Sequence, residues 1–271
     1  MGYYEVLDLK KEPFSTSPDP TFFYRSSSHN SAIQRLEINI RLKRGLSVIL
    51  GDVGTGKTTL LRTLLQMLGE EDEFKLHIVL DPSYHSEFQF LSYLVKTLGI
   101  SPQFRSTLDY KEEIEKHLFK YGVDERKTIV LCIDEAQKLT AGNLEVLRML
   151  MNYETNEYKL LQLVLMAQME LLPKLKRIKN FIDRASLKYI INPLDKIETK
   201  QMIEFRLHQA GFNSGRTLFT DKAISMIYES TQGYPRKVSL LCHNALEYIV
   251  MHDKVVVDEG VAQKIIEEEV I

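Results

Sequence analysis

The chain has 271 residues, 44% of them hydrophobic, and its 35 basic and 37 acidic side chains leave a formal net charge of −2. This suits a globular protein with a real core, as one large domain or two modest ones, and gives no whole-chain attraction to nucleic acid; only a local basic face could supply that. The two cysteines, Cys132 and Cys242, are far apart and read as buried, reduced thiols rather than a disulfide frame, and the seven histidines form no zinc-type cluster.

The N-terminus, Met1-Gly2-Tyr3-Tyr4-Glu5-Val6, lacks the basic start and apolar centre of a secretory signal, and the Ser or Thr of a myristoylation signal. Pro13, Pro18 and Pro20 argue against helix before about Ser28, and a helix is expected from Asn30 to about Leu42. The run Leu46–Leu50 then reads as a buried strand. It leads into Gly51-Asp52-Val53-Gly54-Thr55-Gly56-Lys57-Thr58, the G-x-x-x-x-G-K-T pattern of a phosphate-cradling loop. The glycines let successive N–H groups face one anion. Lys57 can reach the β- and γ-phosphates, and the Thr58 hydroxyl can ligate magnesium. A helix over roughly Lys57–Leu68 points its positive dipole end at the same phosphates.

Further strands are predicted at Lys75–Asp81, Thr128–Asp134, Leu160–Ala167 and Leu187–Ile191. Apolar strands alternating with helical patterns indicate a parallel sheet covered by helices on both faces. The third strand ends in Asp134-Glu135. In P-loop ATPases the first carboxylate of such a pair holds magnesium, usually through water, and the second can polarise the attacking water. Gln168 ends the fourth strand, where ligands of open α/β sheets sit, and can hydrogen-bond a γ-phosphate or simply cap the strand. The longest apolar stretch, Leu160 to Leu172, is broken by Gln162, Gln168 and Glu170 and is too short to span a bilayer, so a soluble, cytoplasmic protein is expected. Lys174-Leu175-Lys176-Arg177-Ile178-Lys179 is the densest basic run. It reads as a solvated helix face, with contact to nucleic acid or acidic lipid as the other use.

After Pro193 the pattern turns helical: Lys196–Ala210, Thr220–Thr231, Arg236–His252 and Asp258–Glu269, with Thr220-Asp221 and Asp258 as N-caps and Gly211 and Gly233 as stops. A domain boundary is therefore expected near 194–197. Phosphoryl transfer also needs positive charge at the γ-phosphate; Arg177, Arg184 and Arg236 are the candidates, and composition does not choose among them.

Taken together, the chain resembles an AAA+ ATPase of the ExeA/GspA-like group from Tyr3 to about Ile266. The segments that carry the resemblance are Pro13-Phe14-Ser15, Ser17-Pro18-Asp19-Pro20 with Phe23-Tyr24, and His29. Next come Gly51 through Thr59 and Ile133-Asp134-Glu135-Ala136-Gln137. Last are Asp183-Arg184 with Tyr189 and Pro193-Leu194, Leu218-Phe219-Thr220 and Gly233-Tyr234-Pro235-Arg236. The resemblance implies an αβα sandwich on a five-stranded parallel sheet (1–195, with an N-terminal extended segment) and a small helical lid domain (196–271). It implies ATP and Mg2+ as ligands, held by Gly51, Asp52, Val53, Gly54, Thr55, Gly56, Lys57, Thr58 and Thr59, with Thr58 and Asp134 at the metal and Glu135 activating water. Gln168 takes the sensor 1 position, Arg184 that of an arginine finger reaching a neighbouring subunit, and Arg236 that of sensor 2. Ala167 and Met169 stand where the family has Gly and Pro beside the sensor, which concerns the local turn rather than Gln168. Phe14, Phe22, Phe23 and Tyr24 read mostly as anchors of the N-terminal segment, with packing on adenine as the other use.

A finger acting in trans implies a homo-oligomer, as a ring or helical assembly. The expected role is assembly of a secretion or pilus machine. Larger members carry a membrane span and a cell-wall-binding region after the ATPase, so a chain ending at Ile271 is expected to act at the inner membrane through a membrane-anchored partner. The alternative is an ATP-dependent DNA-binding regulator of transposition, similar to TnsC or MuB.

Overall fold

A computed structural model of the chain describes residues 2–101, 106–178, 180–213 and 216–269. The chain divides into two compact units. One comprises His29–Asp52 and Leu60–Ile191; the other comprises Met1–Ser28, Val53–Thr59 and Asn192–Ile271.

The first unit is built on five strands: β1 (Leu46–Gly51), β2 (Phe74–Val79), β3 (Thr128–Ile133), β4 (Leu161–Ala167) and β5 (Ala185–Ile191). Their spatial order is β2-β3-β4-β1-β5, and every neighbouring pair is parallel. The order explains the sequence. β3, β4 and β1 are flanked on both sides and every one of their residues is buried, so they read as largely apolar runs. The edge strands are half-exposed, and β5 buries little beyond Leu187 and Ile191. That mixed pattern hid its first turn of extended chain: β5 begins at Ala185, two residues before the expected start. One polar side chain interrupts β4. Gln162 is buried, but its Oε1 accepts the Gly45 N–H at 2.8 Å and its Nε2 donates to the Lys159 carbonyl at 2.7 Å, so neither end is left unsatisfied.

Helices Glu87–Thr97, Thr107–Phe119 and Ala141–Leu150 cover the sheet, placing Phe90, Leu94, Leu118 and Leu147 in one core with Leu131 and Leu163. Ser86, Ser106 and Thr140 start them, each hydroxyl accepting a backbone N–H of the first turn.

The second unit is helical: Lys196–Gln209, Asp221–Thr231, Pro235–Met251 and Glu259–Glu269. Thr220 and Asp258 cap two of these helices as expected, and Gly211, at φ +93°, ends the first. The second ends at Thr231, as expected, with Gln232 capping it in a left-handed conformation and Gly233 following at φ +71°. The N-terminal segment packs here. Phe14 is 1% exposed and meets Phe219 edge-on at 6.0 Å, Phe22 packs with Leu9 and Ala210, and the Tyr24 hydroxyl donates to Gln201 Oε1 at 2.6 Å. The prolines do not keep this segment free of helix. One turn forms at Tyr3–Val6, ahead of them, and a 3-10 turn at Pro20–Phe22. In that turn proline sits at the first position, where its fixed φ fits and no N–H is needed. Among the described residues no helix is long and apolar enough to cross a membrane.

Candidate nucleotide-binding site

Because the sheet is parallel, β1, β4 and β3 all end at the same edge, in that order of adjacency. Leu50 is level with Ala167, and Leu165 with Ile133. Gly51, Gln168 and Asp134 therefore stand on three neighbouring strand ends. At a strand spacing near 4.8 Å and a register offset of two residues, Gly51 and Asp134 are roughly 12 Å apart. The chain also changes direction here: β1 is followed by β2, three places away, and β4 by a strand on the far side of β1. Such switch points are where open α/β sheets leave room for ligands.

The glycine-rich loop follows β1. Gly54 and Gly56 have φ of +82° and +94°, a conformation that glycine adopts without a Cβ penalty. Helix Lys57–Gly69 starts at the loop lysine, so its first turn belongs to the loop and its positive dipole end faces it. Thr55 and Lys57 are buried. Within the same compact unit the Arg236 N–H donates to the Gly54 carbonyl at 3.2 Å. A Cβ on Gly54 would lie 2.9 Å from Arg236 Cβ. The backbone of Arg236 thus rests directly on the loop, a contact that sequence reasoning did not foresee.

The carboxylate pair sits on a sharp turn. Asp134 is buried, its N–H donates to the Val79 carbonyl at 2.8 Å, and its Oδ1 accepts the Glu135 N–H at 2.9 Å. Glu135 has φ +50° and ψ +35°, a left-handed conformation that costs a side-chain-bearing residue about 1–2 kcal/mol. Strain of this kind clusters at functional sites. A 3-10 turn, Ala136–Lys138, follows. Gln137 then reaches back: its Nε2 donates to Glu135 Oε2 at 2.7 Å, and its Oε1 accepts the Gln168 N–H at 3.1 Å. The turn after β4 forms without the family's Gly and Pro, closed by Leu171 N–H to the Gln168 carbonyl at 3.0 Å.

Arg184 stands elsewhere. It ends a 3-10 turn that feeds the N-terminal end of β5, whereas Gly51 pairs with Ile191 at the other end. Seven residues of strand separate the two edges by roughly 20 Å, beyond the reach of one side chain. Its Nη1 donates to Asn152 Oδ1 at 2.5 Å and to the Arg148 carbonyl at 3.3 Å. Neither partner had a signal in the sequence. Arg177 ends helix Leu171–Arg177 and is exposed. Of the basic run, Lys174 folds back to the carbonyls of Gln137 and Leu139, Lys176 is exposed, and Lys179 lies outside the described residues. Cys132, next to the last residue of β3, is fully buried, and that burial pushes its thiol up to about 12; burial also raises the Cys242 thiol. Both stay protonated.

Known proteins resolve the family. A model of the AAA domain family matches residues 40–175, half of the chain. Over 253 residues the chain is 34% identical to general secretion pathway protein A of Aeromonas hydrophila, a match covering 90% of this chain and 44% of that protein. The chain belongs to the AAA+ family, in the general secretion pathway protein A-like group. It spans less than half the length of this curated relative. Solved structures place the AAA+ fold over nearly the whole chain. The Aeropyrum pernix ORC2 protein (ADPNP-ADP complexes) superposes with a TM-score of 0.71 at 17% identity, covering 96% of this chain and 72% of that one. Cdc6p from Pyrobaculum aerophilum gives 0.72 at 16%, covering 94% and 70%. The Thermotoga maritima RuvB Holliday junction branch migration motor gives 0.59 at 14%, covering 88% and 68%. At these identities the likeness is one of fold.

Proposed function

We propose that this AAA+ protein binds and hydrolyses ATP with magnesium, and that it does so as an oligomer. The observation that carries the reading is the sheet edge where Gly51, Gln168 and Asp134 end neighbouring strands, with Glu135 held in a left-handed turn beside them. The residues fit the ligands. The loop keeps Gly54 and Gly56 in glycine conformations, and the hydroxyl of Thr58 and carboxylate of Asp134 are the hard oxygen donors magnesium prefers. In this reading Gly51 to Thr59 would cradle the phosphates, Lys57 would neutralise them, and Thr58 and Asp134 would hold the metal. Magnesium supplies charge neutralisation as the phosphoanhydride bond breaks. Glu135 takes a proton from the attacking water, and Gln168 orients that water or the γ-phosphate.

Arg184 serves a neighbouring copy. Its position at the opposite edge of its own sheet supports action in trans, and a finger of this kind contributes about 10³–10⁵ in rate, or roughly 4–7 kcal/mol. Residues 1–195 form the nucleotide-binding part and 196–271 the lid in this reading. Arg236, seated on Gly54, reads the state of the loop and passes it to the lid helices. The likeness to a general secretion pathway protein supports coupling of hydrolysis to assembly of a secretion or pilus machine, at the inner membrane through a membrane-anchored partner. The test is nucleotide affinity. Lys57→Ala should abolish binding of a fluorescent ATP analogue, and retained micromolar affinity would remove the loop from the site.

A further inference from the structure

We propose that Gln137 is a positioning residue for hydrolysis, one that locks the carboxylate of Glu135 and ties it to the strand end that carries Gln168. The inference rests on the ATPase reading above and adds to it a residue for which the motif itself suggests no role.

Gln137 is 8% exposed, and its amide is engaged at both ends. Nε2 donates to Glu135 Oε2 at 2.7 Å, and Oε1 accepts the Gln168 N–H at 3.1 Å. The partners fix its orientation: an ionised carboxylate only accepts and a backbone N–H only donates, so a flipped amide would lose both bonds. The backbone is held as well. Lys174 Nζ donates to the Gln137 carbonyl and, at 3.3 Å, to the Leu139 carbonyl, while Lys138 N–H bonds the Glu135 carbonyl at 2.9 Å.

Glutamate has three side-chain torsions and pays entropy to hold one geometry. A general base must keep its oxygen within hydrogen-bond reach of the proton it takes. One fixed donor on Oε2 removes most of that freedom. The other end of the same amide grips the backbone of Gln168. A shift of the β4 end when Gln168 engages a phosphate therefore moves the amide, and with it the base. A purely structural glutamine would spend its polar atoms on backbone groups; this one spends its donor on the reacting side chain.

The test is steady-state ATP turnover of the full chain with magnesium, together with nucleotide affinity and melting midpoint. Gln137→Ala should lower kcat by about 10- to 100-fold, the scale of a misplaced general base, with KM and affinity unchanged within about twofold. Gln137→Glu, of the same length, keeps an acceptor for Gln168 but sets a carboxylate against a carboxylate, and should lose at least as much. In a Glu135→Gln background, Gln137→Ala should cost nothing further, because the amide acts through the base; a structural role would lower turnover or affinity again. Wild-type rates in both Gln137 variants, or full additivity in the double variant, would overturn the inference while leaving the ATPase reading intact. A wild-type chain that binds nucleotide without turnover would sink the ATPase reading and this inference with it.

Discussion

Gly233→Ala probes the tightest backbone contact of the helical unit. Gly233 has φ +71°, and its carbonyl accepts the Leu194 N–H at 2.9 Å. A Cβ there would lie 1.9 Å from the Leu194 carbonyl oxygen and 2.9 Å from its carbonyl carbon. Carbon and oxygen normally approach to about 3.3 Å, so the overlap exceeds an ångström, and the obstacle is main chain, which cannot rotate away. The left-handed conformation costs about 1–2 kcal/mol once a Cβ is present. Forced separation adds the roughly 1–3 kcal/mol of an overpacked core. The sum, about 2–5 kcal/mol, corresponds to a fall in melting midpoint on the order of 10 °C at a few degrees per kcal/mol. Gly99→Ala is the matched control: its φ is +78°, yet nothing lies within 4 Å of the added carbon. It should lose only the conformational part. Thermal unfolding followed by circular dichroism on both variants separates the two contributions. Equal midpoints for Gly233→Ala and Gly99→Ala would refute the steric argument and the packing of Gly233 on Leu194. Arg236 lies three residues on, so Gly233→Ala should also weaken nucleotide binding.

Arg184→Ala should keep nucleotide affinity and lose at least about 10³ in turnover. Small additions of Lys57→Ala subunits, which keep Arg184, should restore part of it; no restoration in the mixing assay would remove the trans role. Phe14→Ala empties a fully buried aromatic site and should cost about 3–5 kcal/mol in denaturant unfolding; a loss under about 1 kcal/mol would contradict its place in the helical core. His117 faces His77, Lys75, Lys120 and Tyr121, and burial first, then the charges of His77, Lys75 and Lys120, hold it down at about 4. The folded value lies below the unfolded one near 6.5, so the unfolded chain binds more protons between about pH 4 and 6.5, and stability should fall as pH drops through that window. His77 is lowered by burial too and adds in the same direction. Because His117 Nε2 is buried without a hydrogen-bond partner, His117→Phe should flatten this limb without loss at pH 7.5. An unchanged acid limb would refute the assignment.

Much of the fold was legible because burial on both faces leaves a plain mark. β1, β3 and β4 are apolar but for Ser47, Thr128 and Gln162, and the glycine loop and carboxylate pair stand at the ends of two of them, so strand and motif were read together. The start of the edge strand β5 was blurred because its exposed positions Ser186 and Lys188 interrupt the apolar run. The helix end at Thr231 was legible from Gly233, but the left-handed cap fell on Gln232, a residue that gives no such signal. The site was legible where residues adjoin in sequence. It was not where they meet only through folding: Gln137 with Gln168, Arg184 with Asn152, and Gly54 with Arg236 are 31, 32 and 182 residues apart. Lys174 shows the reverse. A basic run suggested a charged surface, while the structure turns its first lysine onto two carbonyls of the turn after Glu135.

The central claim is ATP hydrolysis by Glu135 at this sheet edge. The direct measurement is phosphate release from ATP and magnesium by the wild-type chain and by Glu135→Gln, over a range of protein concentrations, with nucleotide affinity measured on the same samples. The account predicts a wild-type rate that rises more steeply than protein concentration, and a variant that binds ATP as tightly while turnover falls by about 10²-fold or more. Equal turnover in the two proteins would contradict it.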